Sequence, residues 1–267
     1  MKILALESSA SACSAALCED EALIAQSFQN NGLTHSRTLM PMVEQMLATC
    51  SVPLSQVDLI AVAAGPGSFT GLRIGISTAK GLAWPGDKPC AACSTLESMA
   101  WQLAHADGWI IPAMDARRSQ IYNAVFRARE GTLERVCPDR AVSLEQAEEE
   151  LRGLEGRKIL VGDGAQLCYN EWKERLPGLT MAPPHLRFQS AWGVARAALE
   201  LVRVGALVPG GELVPVYLRL SQAERERLER EKAERTAPRE KETPDPAAAS
   251  SPAGAEAGEK TELGNTK

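Results

Sequence analysis

A chain of 267 residues with 45% hydrophobic side chains can bury a sizeable core and is close to the size at which one core divides into two. Its 29 Lys and Arg stand against 34 Asp and Glu, a net charge of -5, which excludes diffuse binding to nucleic acid through a surface that is basic overall. Seven cysteines at irregular spacing exclude a disulfide framework, and no apolar run is long enough to span a bilayer, so the expectation is a cytoplasmic protein without membrane contact.

The chain opens with "KILALESS", "ACSAALCED" and "EALIAQSFQ", short apolar runs separated by Ser-rich and acidic turns. They predict three strands in an antiparallel meander. In "THSRTLMPMVEQMLATC", Leu39, Met42, Val43, Met46, Leu47 and Cys50 recur at helical spacing. Pro41 lacks a backbone donor, so either the regular helix starts near Thr38 or it kinks about one turn before the proline. His35 at the helix start reads as a cap or turn contact.

Next comes "VDLIAVAAG", a strand buried on both faces, followed by "GPGSFTGLRIG", the helix "LRIGISTAKGLAW", a strand near "KPCAACS" and the helix "TLESMAWQLAHA". Strand, helix, strand, helix implies parallel pairing beside the meander. From Trp109 the pattern restarts with strands in "WIIPAMDARRSQIYNAVFRAREGTLERV", a helix in "SLEQAEEELRGL" and a strand in "RKILVGDGA". Two further helices, "QLCYNEWKERL" and "SAWGVARAALELVRVG", follow, the latter ended by Gly205. The expected organisation is an α/β protein with a first lobe over 1–106, a second over 107–220, and a charged, Ala/Pro-rich tail over 221–267. Residues 221–267 hold few large aliphatics, and the expectation there is a solvated helix followed by disorder.

Two readings of "GPGSFTGLRIG" stand open. A glycine loop at a helix N-terminus is a good anion site, so Gly65, Gly67 and Ser68 are candidate nucleotide contacts. Yet the stretch has neither the Walker lysine nor the dinucleotide-binding glycine spacing. Further on, Gly71, Gly75, Ala79 and Ala83 recur every fourth residue, a small-residue face suited to its own sheet or to a helix of another subunit.

Other candidates are weaker. Asp115, Arg117 and Arg118 follow an apolar strand and read either as a structural ion pair or as contacts to a partner, a nucleotide or an RNA backbone. Cys90 and Cys93 form a lone CxxC and read as two buried small residues. His35, His105 and His185 lie far apart, which leaves no histidine pair for a metal.

In the order "ILALESSASACSAAL", "HSRTLMPMVEQML", "VDLIAVAAGPGSFTGLRIGISTAKGLA", "MDARRSQIYNAVF", "ILVGDGA" and "PVYLR", residues 1–220 resemble the TsaB (YeaZ) family. That family is a paralogue of the Kae1/TsaD transferases within the actin-like ATPase superfamily. The resemblance implies two actin-like lobes and a role in making threonylcarbamoyladenosine at position 37, 3' of the anticodon, in tRNAs reading codons that begin with A. It implies a non-catalytic subunit that pairs with a TsaD-type transferase, works with a TsaE-type ATPase, homodimerises, and meets tRNA only through the complex. No tightly bound cofactor is implied, with ATP or ADP entering at the level of the complex. The competing reading is an actin-like ATPase or kinase active by itself.

Set against the transferase paralogue, Glu7, Ser8 and Ser9 fall on its E-T-S, while Ser11 and Ala12 stand where it has an Asp-Glu pair. Thr95 and Met99 stand where it has metal-ligating histidines, so no metal site and no metallopeptidase chemistry is expected. Glu7, Ser8 and Ser9 remain candidate cleft contacts. The expected partner interface lies on the two first-lobe helices, through Leu39, Met40, Val43 and Met46 on one and Gly71, Gly75, Thr78, Ala79 and Leu82 on the other.

Overall fold

The computed structural model describes residues 1–219, which belong to one compact unit; the tail expected over 221–267 lies outside the described residues. The meander is as the apolar runs predict, with β1 (Lys2–Glu7), β2 (Cys13–Glu19) and β3 (Ala22–Gln29) antiparallel in sequence order. Helix α1 (His35–Thr49) then carries the chain to β4 (Leu59–Gly65), which lies parallel to β1 and is buried along its whole length. Helix α2 (Phe69–Ala83) leads to β5 (Pro89–Ser94), parallel to β4. Helix α1 runs without a break from His35 through Pro41, contrary to the start near Thr38. The proline sits on the solvent side, where one missing donor is tolerated.

Helix α3 (Thr95–Trp101) crosses to the second sheet, built on β6 (Gly108–Asp115), β7 (Gln120–Asn123), β8 (Phe126–Arg129), β9 (Thr132–Arg135) and β10 (Arg140–Ser143). After helix α4 (Leu144–Arg152), β11 (Lys158–Val161) pairs in parallel with β6, and helix α5 (Ala165–Trp172) leads to β12 (Leu179–Met181). Helix α6 (Ala191–Arg203) and the two-residue β13 (Val208–Pro209) complete the described chain. The first sheet has the order β13-β5-β4-β1-β2-β3 and the second runs β10-β7-β6-β11-β12, with β8 and β9 attached to β6. A meander followed by parallel crossovers in each half is the actin-like α/β arrangement.

The division at residue 107 does not follow the packing. Leu96, Met99, Ala100 and Leu103 of α3 and the turn after it are buried with Ile110, Met114 and Phe126 of the second sheet. Conversely Val194, Ala195, Ala198 and Leu199 of α6 cover Ile3, Ala5, Leu59 and Ala61 of the first sheet. The helices at the seam have exchanged sheets, and they touch where the Cα of Gly193 sits against the Ser98 carbonyl, with no room for a side chain. β13 and Leu213 also return to the first sheet, so 191–213 pack with 1–94.

Helices α1 and α2 cover the other face of the first sheet. Leu39, Val43 and Met46 are buried in a core with Leu4, Leu6, Val62, Ala79 and Leu82. The apolar spacing that identified α1 is therefore the imprint of its own sheet, and burial of these side chains supplies roughly 1.5–3 kcal/mol each.

Candidate functional site

In open α/β sheets ligands collect at the carboxyl ends of the strands. Three carboxylates stand there, Glu7 at the end of β1, Asp115 at the end of β6, and Asp163 just after β11. Glu7 is fully buried. Its Oε1 accepts a hydrogen bond of 2.6 Å from the Ser9 amide, while Oε2 and the Ser9 hydroxyl have no partner among the described residues. Burial pushes the Glu7 carboxyl up to about 7, opposed in part by Ser9 and reinforced by the charge of Asp163.

Asp163 accepts a 2.9 Å hydrogen bond from the Gln189 amide group, and burial raises its pKa too, with Asp115 adding to the rise. Asp163 and Gln189 were missed in the sequence. Asp163 stands inside "ILVGDGA", and a carboxylate at a strand end opposite Glu7 was the available signal. Gln189 precedes a helix and carries no pattern. Among the described residues no group of three His, Cys, Asp or Glu is arranged to hold a metal ion.

The glycine stretch packs against this strand end. A Cβ on Gly67 would lie 2.5 Å from the Ser9 carbonyl oxygen, one on Gly71 would collide with the Ser8 carbonyl, and one on Gly75 would lie 2.5 Å from Ser8 Oγ. The Ser68 amide donates to Ser9 O at 2.7 Å, the Ser68 hydroxyl caps the Gly71 amide, and Ser8 Oγ donates to Gly71 O at 2.9 Å. A phosphate cradle needs free amides and room for an anion. Here the side-chain positions at Gly67 and Gly71 are taken by two carbonyls of the chain's own β1–β2 turn, so packing by itself accounts for both glycines.

Gly65 serves a different neighbour. With φ of +138° it lets the Val216 carbonyl pack where a side chain would be, while the Val216 amide donates to Ala64 O at 2.7 Å. The segment after β13 thus runs as a strap over the glycine turn.

Asp115, Arg117 and Arg118 are exposed. Asp115 makes no ion pair with either arginine; its Oδ1 accepts from the Arg117 amide at 2.6 Å, which corrects the ion-pair reading. Arg117, Arg118 and Ser119 have φ of 62°, 56° and 57°, three left-handed residues in succession. Such a turn costs on the order of 1 kcal/mol per residue and points both guanidinium groups outward.

The expected partner residues fare differently from the reading. Leu39, Val43, Met46, Ala79 and Leu82 lie in the first core, and Gly71 and Gly75 admit the Ser8–Ser9 turn, so none is free to meet another subunit. Only Met40 and Thr78 of that set keep part of their surface exposed. The small-residue face is a sheet-packing face. Cys90 and Cys93 are buried as read, and burial pushes the Cys90 thiol up to about 11. The His35 ring meets the Ala10 carbonyl at 2.6 Å, a turn contact.

Comparison with known proteins adds a family to this geometry. Residues 27–169 match the family model described as TsaD, tRNA N6-adenosine threonylcarbamoyltransferase. The chain is 34% identical to the tRNA threonylcarbamoyladenosine biosynthesis protein TsaB of Bacillus subtilis over 87% of its own length and all of that protein. It is 32% identical to the Escherichia coli TsaB over 82% of its length and 95% of that protein. Among solved structures, YeaZ from Pseudomonas aeruginosa superposes with a TM-score of 0.68 at 27% identity, covering 81% of this chain and 99% of that one. At 34% and 32% identity over most of its own length and 95% or more of these two relatives, the chain belongs to the TsaB family of tRNA threonylcarbamoyladenosine biosynthesis proteins.

Proposed function

We propose that the chain is a non-catalytic subunit for threonylcarbamoylation of adenosine 37 in tRNAs reading A-starting codons, paired with a TsaD-type transferase and served by a TsaE-type ATPase. The observation that carries this reading is the glycine turn, in which Gly67 and Gly71 let α2 close onto the Ser9 and Ser8 carbonyls, a packing role that needs no bound phosphate. Glu7 supports it, since a fully buried carboxyl whose one bonded oxygen is tied to Ser9 N is poorly disposed to act on an external substrate.

The partner surface in this reading is the exposed flank of α1 and α2, where Met40 and Thr78 keep part of their surface and Gln45 and Ser77 are exposed. A homodimer through the same flank is the expected state when the transferase is absent. Ser77→Arg is expected to reduce heterodimer formation at least tenfold while leaving the melting temperature unchanged, because Ser77 is exposed. Co-elution with the transferase partner measures this, and undiminished association removes the proposed surface.

Reconstitution of the modification with and without this chain tests the function itself. Product should form only when it is present, and titration of the chain alone with ATP and Mg²⁺ should give no binding heat. Product formed equally well without the chain, or ATP turnover by the chain alone, overturns the reading.

A further inference from the structure

The strap after β13 gathers charge that the proposed function leaves unused. Tyr217 stacks on Phe69 with ring centroids 4.8 Å apart, and the Arg73 guanidinium lies 3.8 Å over the other partner of that stack, the Phe69 ring. Arg73 Nε also donates to the Tyr217 hydroxyl at 3.2 Å. Two residues further along, at most about 7 Å of backbone, Arg219 donates to the carbonyls of Ala116 and Arg117. The strap therefore joins the start of α2 to the left-handed turn that presents Arg117 and Arg118.

Four arginines and two aromatic rings are carried by the strap, the start of α2 and the turn that the strap joins to it. Arg73, Arg117 and Arg118 are exposed, and among the described residues none of the four arginines forms an ion pair. Asp115 is the one carboxylate in the turn, and it is engaged by the Arg117 amide. On a chain of net charge -5, such a patch is local by construction. Arg73 and the backbone of the turn are also held in position. The Arg73 planar fork is fixed by stacking, and the Arg117–Ser119 turn is fixed against its strain by Arg219 and Asp115. Preorganised guanidinium forks fit phosphate diesters, and adjacent rings accept unstacked bases.

We infer that the strap and the Arg117–Ser119 turn form a direct contact surface for the phosphate backbone of a folded RNA. The inference rests on the tRNA-modification reading and revises one part of it, that tRNA meets this subunit only through the complex. Charge complementarity to a polyanion is what selects this occupant.

The test is anisotropy of a labelled, unmodified tRNA transcript with the full chain, titrated with KCl from about 50 to 200 mM. The variant R73Q/R117Q/R118Q should lower the affinity at least tenfold at the low-salt end and make the slope of log K against log salt shallower by two to three, close to 0.9 for each phosphate that is no longer neutralised. Tyr217→Ala should weaken binding severalfold without changing the slope. Arg152→Gln, an arginine paired with Glu148 and Glu149, should leave both quantities unchanged. Equal melting temperatures keep the comparison free of folding effects.

No binding by the unaltered chain, or an unchanged slope in the triple variant, overturns the inference. So does polyglutamate of matched charge competing as well as tRNA, because that outcome assigns the patch to an acidic protein. The reconstituted modification separates the two proposals. If product still requires the chain but the slope does not move, the subunit role stands and the RNA surface falls; if product forms without the chain, the subunit role falls.

Discussion

Glu7→Gln is expected to raise the melting temperature at pH 8 by about 5 °C or more and to leave it nearly unchanged at pH 4.5. The buried carboxyl has its folded-state pKa lifted from 4.5 to about 7, with burial the largest cause. A raised folded pKa contributes stability that is fully present below the unfolded value of 4.5 and is lost as pH rises through about 7. Between those values unfolding releases a proton, so the unaltered chain loses stability toward neutral pH, by on the order of 3 kcal/mol for this group. Asp163 is shifted in the same direction by burial and adds to the loss. Gln keeps an oxygen for the Ser9 amide and carries no charge at any pH. For a domain of this size about 1 kcal/mol corresponds to roughly 2–4 °C. Thermal melts of both proteins from pH 4.5 to 8.5 check this. A wild-type melting temperature that climbs from pH 5 to pH 7, or a variant no more stable than wild type at pH 8, sinks the assignment of Glu7 as a buried, hard-to-ionise carboxyl.

Much of this fold was legible because strong local patterns and packing agree. β1, β2 and β4 were marked by continuous apolar runs that are buried almost throughout, and helices α1 and α2 by a helical spacing that their buried residues reproduce. The short β12 and β13 were not predicted, having only three and two residues and therefore no period to show, and neither was β10, whose Arg-Ala-Val-Ser carries no apolar run. The exchange of α3 and α6 between sheets was also invisible. Each helix displays a buried face, but a face does not say which sheet covers it. The same ambiguity misled the reading of α2. A Gly-x-x-x-Gly-x-x-x-Ala face specifies close approach of something, and only the path of the Ser8–Ser9 turn shows that the approaching group is the chain itself. Site residues followed a similar division. Glu7 and Asp115 were marked by strand ends, whereas Gln189 and the strap contacts of Tyr217 and Arg219 depend on pairings more than 25 residues apart that leave no periodic trace.

Gly71→Ala is expected to be the most damaging single-methyl substitution in the first half of the chain, with a loss of about 3 kcal/mol or more and a matching fall in melting temperature. The added Cβ would meet the carbonyl oxygen of Ser8, a backbone atom that cannot swing aside as a flexible side chain would. Relief requires α2 to move off β1, and that movement would also break the 2.9 Å bond from Ser8 Oγ to Gly71 O and the packing of Ile76 and Ala79 with Val62 and Leu4. Overpacking in a close-packed interior costs about 1–3 kcal/mol even where side chains absorb it, and more where backbone must shift. Gly81→Ala on the same helix is the control, since nothing lies within 4 Å of its added carbon and helix propensity alone favours alanine by up to about 1 kcal/mol. The pair decides between the two readings of the glycine stretch without any ligand or partner. A glycine kept for an anion leaves the ligand-free chain as stable with alanine as without it, so a melting temperature for Gly71→Ala equal to that of the unaltered chain would return the loop to the phosphate reading. A steep loss beside a neutral or stabilising Gly81→Ala assigns Gly71 to packing. By the same geometry, a large charged residue at Gly75 or Ala79 would disrupt the first core before it could report on a partner, because Gly75 faces Ser8 Oγ and Val62 and Ala79 is fully buried.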